Sequence, residues 1–452
     1  MANNSNQKGL SRDELEALTQ RIFSMSTADQ CRVNISSGWR GYTRVATNRI
    51  TSAGGADATD ITITSVFGKR VASVNTNSLD DDSLRDAVRR AESAARLAPE
   101  TPEYMPELAQ QQFIDSGGYY PSTGELEPLT RAQAAALAIE QARANNQIAA
   151  SYMDVRAGSN TVATSNGLFA SHASTGVAYT LTSRTEDGLQ SGWAGDEAND
   201  WNNIESQRIA NDAVRKCRDW RKTELAPGQY TAILEPTAVG MLMLRMMNAF
   251  NQRPADEGRS YFSRTGGGNR LGEQLFDERV NIFSDPNYED AQTAPFTSRG
   301  EAREATTWVN NGRLENLSRS RFWADQLGET PLAAPSNLIM AGGEDSLEDM
   351  IASTERGVLL TRFWYIRGLN PRIISYTGLT RDGTFLIEDG RISRPVTNFR
   401  FNQSLVEMLQ NVEMVGPTTR VAASENSSVS TPIVVPTLKV GGFNLSSVSD
   451  AI

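Results

Sequence analysis

The sequence predicts an α+β fold, with strands and helices gathered in blocks instead of alternating one by one. Three observations carry that expectation. Strand-like runs lie between two amphipathic helices in residues 1–100, an alanine-rich helix precedes further strands in 101–225, and residues 226–452 are rich in strands. Those limits are the expected domains: an N-terminal helix-plus-antiparallel-sheet unit, a middle α/β unit with its linker, and a strand-rich C-terminal unit. A chain of 452 residues has room for roughly three domains and needs no disulfide or metal to fold.

Ser11 followed by Glu14 is a capping box, and Leu15, Leu18, Ile22 and Met25 recur at helical spacing, so 12–26 reads as a helix. Strands are expected at 42–50, 60–66 and 69–74, with Gly54-Gly55 and Phe67-Gly68 as the turns of an antiparallel meander. Asp80, Asp81 and Asp82 suit the positive end of a second helix whose apolar face is Leu84, Val88, Ala91 and Ala95. Residues 99–128, rich in Pro, Glu and Gln, read as a linker, after which Thr130 caps a helix reaching about Asn145. Strands at 149–157, 161–165 and 176–183 follow, then a helix over 204–222 with Ile209, Ala213 and Cys217 on one side. Beyond Pro227-Gly228, strands are expected at 230–234, 358–367 and 384–388, and helices at 238–250 and 405–412. The stretches 251–272 and 285–304 read as long polar loops, and the Ser-rich 422–431 as a mobile tail.

Composition excludes more than it proposes. The net charge of -10 repels phosphate backbones, and the arginines are scattered among acids, so no nucleic-acid partner is expected. The single histidine, His172, cannot build the two- or three-histidine set of a zinc hydrolase. Cys31 and Cys217 are too far apart for a Cys-x-x-Cys pair, and no Gly-x-Ser-x-Gly elbow accompanies His172. Two isolated cysteines and a polar N-terminus suggest the cytoplasm. The apolar stretch 238–250 carries Arg245 and falls short of the about 20 residues a membrane span needs, so no membrane partner is expected. His172 reads as a surface or structural residue, Cys31 and Cys217 as core thiols, Gly266-Gly267-Gly268 as a flexible loop, and Asp80–Asp82 as a helix cap instead of a cation site.

The run LLTRFWYIRGLNPR (359–372) is different, because aromatic and cationic residues crowd together. On a regular strand Arg362, Trp364 and Ile366 share one face, and Phe363, Tyr365 and Arg367 the other. Two readings are open: core strand with snorkelling arginines, or a groove that takes an extended peptide as an added strand. The following TGLTRDGTFLIEDGRI reads as hairpin, with Asp382-Gly383 and Asp389-Gly390 as turns.

Together with PVTNFRFNQS (395–404), those two runs resemble the C-terminal signature of the TldD/PmbA family, the so-called modulators of DNA gyrase. TRVATNRI (43–50), the strand-then-helix of 68–100, SNGLFASHAST (165–175) and PGQYTAILEPTAVGML (227–242) are similar to family blocks in the same order. TldD-type members resemble zinc proteases, with a His-Glu-x-x-x-His helix just after the P-x-x-x-G segment and a cysteine near the C-terminus. PmbA-type (TldE) members lack these ligands and pair with a TldD chain. The resemblance sets Leu244 and Arg245 where the His-Glu pair would stand, Ala249 where the second histidine would stand, and Ala422 or Ala423 near the missing cysteine. It therefore implies a non-catalytic subunit, with no cofactor of its own, zinc in a TldD-type partner, and unfolded peptides or peptide tails as substrate. Arg362, Trp364, Tyr365 and Arg367 are its candidate groove residues. One alternative is a stand-alone homodimeric peptide-binding or scaffold protein. Another is a metal-independent enzyme using Cys217, His172 or a carboxylate pair.

Overall fold

The expected capping box forms: Ser11 accepts the Glu14 amide while Glu14 takes the Ser11 N–H at 2.8 Å. The helix it starts, α1 (Arg12–Met25), buries Leu15, Leu18 and Ile22. In this computed structural model, residues 8–217 and 223–449 are described. The fold is α+β, as the blocks of sequence imply.

One antiparallel sheet joins the first two stretches of chain. Its strands are β1 (Gln30–Ala46), β2 (Arg49–Phe67), β3 (Arg70–Thr76), β4 (Gln147–Thr164), β5 (Phe169–Thr185) and β6 (Ser191–Ala198), in the order β3-β2-β1-β4-β5-β6. β1 pairs with β4 from Arg32↔Thr164 to Val45↔Ser151, so the stretches read as separate units share a sheet. Helix α2 (Asp81–Leu97), capped by Asp80 as expected, packs on β2 and β3. The brief α3 (Pro121–Gly124) precedes α4 (Pro128–Ala144), and α5 (Ser206–Lys216) lies against α4 and β6. Glu127 occupies the N-cap of α4, so Thr130 lies inside its first turn and is not the cap. Cys217 closes α5, and the rest of the helix expected to 222 lies outside the described residues.

Other differences have local causes. The strand expected at 42–50 spans a turn: Thr47 and Asn48, both at positive φ (49° and 56°), reverse the chain there. Gly54 and Gly55 are not the turn but lie within β2, where the rings of Tyr42 and Trp39 cover them and leave no room for a Cβ. Strands 149–157 and 161–165 are one continuous strand, β4. The stretch 99–128 is extended and strapped down, with Arg32 on Glu107 at 2.8 Å and Ser116 on the Pro286 carbonyl at 2.7 Å.

Residues from 228 onward build a 13-stranded sheet. Its strands run β7 (Gly228–Leu234), β8 (Ile282–Ser284), β9 (Thr306–Asn310), β10 (Arg313–Leu314), β11 (Leu338–Met340), β12 (Arg356–Leu360), β13 (Phe363–Asn370), β14 (Ser375–Thr380), β15 (Thr384–Glu388), β16 (Arg391–Pro395), β17 (Asn398–Ser404), β18 (Val412–Arg420) and β19 (Ile433–Ser449). β19 pairs with β7, β11, β17 and β18. The expected strand 358–367 is two, because the chain breaks at Thr361 and Arg362 and β13 leaves to pair with β14. Asp389-Gly390 turns β15 into β16 as expected. Asp382-Gly383 is no hairpin turn, since β14 pairs with β13 and β17 while β15 pairs with β12 and β16.

Helix α6 (Pro236–Met246) enters with Pro236 in its first turn and buries almost every side chain against β19 and β7. Gly240 lets it approach Val421 and Ile433, where a Cβ would collide with the Val421 methyl. One large core, including Leu242, Met246, Phe363, Phe401 and Phe443, fills most of this half, with smaller clusters around Met350 and Ile339. Among the described residues no helix is long and apolar enough to cross a membrane.

Candidate functional site

Three elements converge where the aromatic and cationic run meets α6. Arg245, on the last turn of α6, donates from Nη2 to Glu425 Oε1 at 2.9 Å. The same oxygen accepts the Ile366 N–H of β13 at 3.0 Å, and Arg367 stands 3.6 Å from the other oxygen. One carboxylate thus ties the helix, the strand and the 421–432 segment together. Leu244 and Ala249 flank Arg245, both half-buried and packed against the main core. Ala422 and Ala423 are buried just ahead of Glu425.

β13 does not keep the alternation a regular strand would give. Tyr365 takes a left-handed φ of 55°, and the pairing with β14 slips between Trp364 and Arg367. This bulge puts Phe363 and Ile366 both into the core and leaves Tyr365 and Arg367 outside, the guanidinium 4.0 Å above the phenol ring. β13 pairs with β14 on one side, and no described strand lies along the other. Tyr365 and Arg367 therefore lie together, exposed, on an open edge. Trp364 is half-buried beneath Arg381, whose guanidinium is 5.2 Å from its ring.

Arg362 does not join them. It is 6% exposed, 3.4 Å from Asp382 and 4.7 Å from the Trp193 ring of β6, so it fastens the two sheets together and lines no open groove. Burial pulls its pKa below the usual arginine value, with Asp382 opposing.

The other sequence candidates stand apart from this site. His172, 7% exposed on β5, donates its Nε2–H to the Gly117 carbonyl at 2.8 Å, and burial favours its neutral form. Cys31 and Cys217 are free and buried, with thiols pushed up to about 12 and about 11 by desolvation. Gly266, Gly267 and Gly268 form a positive-φ turn in open space.

Residues 227–447 match the model of the PmbA/TldA metallopeptidase C-terminal domain, 31–95 that of domain 1, and 124–218 that of the central domain. The chain belongs to the PmbA/TldD family.

Its likeness to solved PmbA/TldD-type structures is one of fold. TldE from Thermococcus kodakarensis superposes with a TM-score of 0.82 at 17% identity, covering 95% of this chain and 99% of that one. A protein from Thermotoga maritima described as a modulator of a DNA gyrase gives the same values. In sequence, a metalloprotease of Methanothermobacter thermautotrophicus is 28% identical over 163 residues, 32% of this chain and 35% of that protein. A second, from Archaeoglobus fulgidus, is 26% identical over 158 residues, 32% of this chain and 36% of that one. The chain thus spans about a third of the length of the curated relatives it matches.

A metallopeptidase family implies a metal, and the residues at 244, 245 and 249 do not fit one. Leucine and alanine offer no lone pair, and Arg245 brings a positive charge already matched by Glu425. Among the described residues, no three His, Cys, Asp or Glu side chains gather as a metal site.

Sequence reasoning missed two acids. Glu425 lay in the stretch read as a mobile tail, and the signal was a lone carboxylate in a run of Ala, Ser and Asn. That stretch is in fact fastened: the Val429 amide donates to Asp154 at 3.1 Å, and the Ser430 hydroxyl to Glu197 at 2.9 Å. Glu197, 2% exposed, pairs with Arg420 at 3.3 Å across the two sheets. Burial holds its carboxyl up at about 7 against the pull of Arg420 and Ser430.

Proposed function

We propose that this chain is a non-catalytic, peptide-holding subunit of a PmbA/TldD-type zinc metalloprotease complex. The observation that carries the reading is the Arg245–Glu425 ion pair, which closes the stretch of α6 that the family resemblance assigns to metal ligands. Zinc and its general base would come from a TldD-type partner, where the metal would supply Lewis-acid chemistry toward the scissile carbonyl and water. This chain would complete the walls of the chamber and present the open edge of β13 to an unfolded peptide. Main-chain groups of β13 other than those of Ile366, whose N–H is held by Glu425 and whose carbonyl by Arg367, would bond the added strand, with Tyr365 and Arg367 beside it and Trp364 beneath. Two free thiols support a reducing, cytoplasmic setting.

The test is native mass spectrometry of the chain alone and mixed with a His-Glu-x-x-x-His family member of the same cell, with zinc content and peptide cleavage measured in parallel. A zinc-free chain that enters a one-to-one complex, and whose removal abolishes cleavage, is the expected result. Stoichiometric zinc in the lone chain sinks the proposal. A second reading, a homodimeric peptide-binding protein, is favoured by the exposed Tyr365, Leu369 and Ile373 around the β13–β14 hairpin. It predicts a stable homodimer that binds peptide and ignores the partner.

A further inference from the structure

The net charge of the chain is -10, yet one cleft reverses that sign. About 780 Å³ of space opens where the extended segment after α2 meets the C-terminal half, lined by Arg32, Arg253, Arg299, Arg303, Arg319 and Arg321. The acids lining it are Glu103, Glu107 and Glu301.

Half of the arginines are neutralised. Arg32 pairs with Glu107 at 2.8 Å, Arg253 with Glu103 at 2.7 Å, and Arg319 with Glu329 at 3.2 Å. The others are not. Arg303 donates to the carbonyls of Phe296 at 2.6 Å and Ala334 at 3.3 Å, and Arg321 to the carbonyl of Pro106 at 2.7 Å. Carbonyls satisfy N–H groups but cancel no charge, so both cations keep their field. Burial pushes the pKa of Arg303 below the usual arginine value, with Glu301 opposing. Arg299 is exposed at the same cleft, and Glu301, with Glu304 just beyond it, offers two negative charges against the three. A cleft with low-dielectric walls focuses such a surplus and draws in anions.

A second pocket of about 330 Å³ adjoins it, sharing Glu301, Arg303, Arg321, Leu332, Ala333 and Ala334 with the first. Its other walls mix apolar side chains, from Leu108, Pro331 and Pro335, with polar ones that include Gln111, Ser336 and a second acid, Glu304. Each of the two is within the size range of ligand sites. A lone phosphate would use the cations and leave the apolar walls wet. A peptide segment carrying both carboxylates and apolar side chains uses both.

We propose that this cleft binds an acidic peptide segment, with its carboxylates on Arg299, Arg303 and Arg321 and its apolar side chains against Leu108, Leu332 and residues 333–335. The site involves neither β13 nor a metal, so it stands whether or not the chain pairs with a catalytic subunit.

The test is fluorescence anisotropy on the full chain with a labelled peptide alternating glutamate and leucine, beside matched glutamine and lysine peptides. The glutamate peptide is expected to bind at least about tenfold more tightly than the glutamine one, more weakly as salt rises, and the lysine peptide not at all. Arg299→Ala combined with Arg321→Ala is expected to weaken the glutamate peptide about tenfold or more while the melting temperature stays unchanged. Arg299→Ala alone, at an exposed position, keeps the test open should the pair unfold the chain, and a several-fold loss is expected. Equal affinity for the glutamate and glutamine peptides, or undiminished binding in these variants, overturns the proposal. So does inorganic phosphate that binds more tightly than the acidic peptide.

Discussion

Glu425→Ala cuts the knot between α6, β13 and the 421–432 segment, and the structure lets the cost be worked out. Two hydrogen bonds to a largely buried carboxylate go, from Arg245 at 2.9 Å and from the Ile366 amide at 3.0 Å. Bonds to charged groups are worth about 1.5–3 kcal/mol each, less where water can substitute. The Glu425 side chain is 13% exposed and that of Arg245 30%, so substitution is partial on the arginine side. Arg245 Nε, buried and without a hydrogen-bond partner among the described residues, loses its nearby negative charge as well. The Arg367 contact, at 3.6 Å with a side chain 53% exposed, adds under about 1 kcal/mol. The expected total is about 3 kcal/mol, which in a unit the size of the C-terminal half lowers the melting temperature by about 6 °C or more. Differential scanning calorimetry measures the shift, and limited proteolysis should find new cleavage within 421–432. Glu425→Gln should cost less, because its amide oxygen still accepts the Ile366 N–H. Leucine at both 245 and 425 should recover most of the loss, since an apolar pair leaves no charge stranded. A shift below about 1 °C for Glu425→Ala, or a double variant no better than the single, refutes the reasoning.

Further outcomes follow from other buried groups. Asp382→Ala strands Arg362, 6% exposed, and puts alanine at a φ of 54°. It should cost about 3–5 kcal/mol in urea unfolding, with Asp382→Asn milder; equal stability of the two variants would contradict the ion-pair account. Glu197, raised from 4.5 to about 7, contributes stability that is complete below its unfolded pKa and lost as pH rises through the folded one. Glu197→Gln should therefore gain stability relative to the parent as pH rises from about 4.5 to about 8, whatever the pH-independent cost of losing the carboxylate beside Arg420. A parent-to-variant gap that ignores pH would rule this out. Cys31 and Cys217, with thiols held up at about 12 and about 11 by burial, should resist a thiol reagent in the native protein and both react in guanidinium. Stoichiometric native labelling would show that one is accessible.

Where local chemistry decides structure, the sequence was readable. Ser11 with Glu14, Asp80 ahead of α2 and the Asp389-Gly390 turn all act as their neighbours predict. It misled where long-range packing decides. Gly54-Gly55 looked like a turn, but the glycines make room for Trp39 and Tyr42 on the facing strand. β19 escaped notice because Pro436 and Gly441-Gly442 argue against a strand; pairing slips against β18 near Pro436 and against β7 at the glycines absorb them. At the candidate site, the crowding of Tyr365 and Arg367 was legible, but the bulge that turns both outward was not. Arg362 looked like a neighbour of theirs until Asp382, far along the chain, claimed it.

The position of β19 has a consequence for how the protein is made. Residues 433–449 complete hydrogen-bond ladders with strands that begin as early as 228. A ribosome must therefore deliver some two hundred residues before β7 receives its neighbour on that side, and closing so long a loop slows folding. During that interval β7, β11, β17 and β18 present bare strand edges, a state that favours pairing with other nascent chains. The six-stranded sheet made earlier has a shorter wait, about a hundred residues between β1 and β4. Its completed face can serve as the platform against which Val429 and Ser430 steer the last strand home.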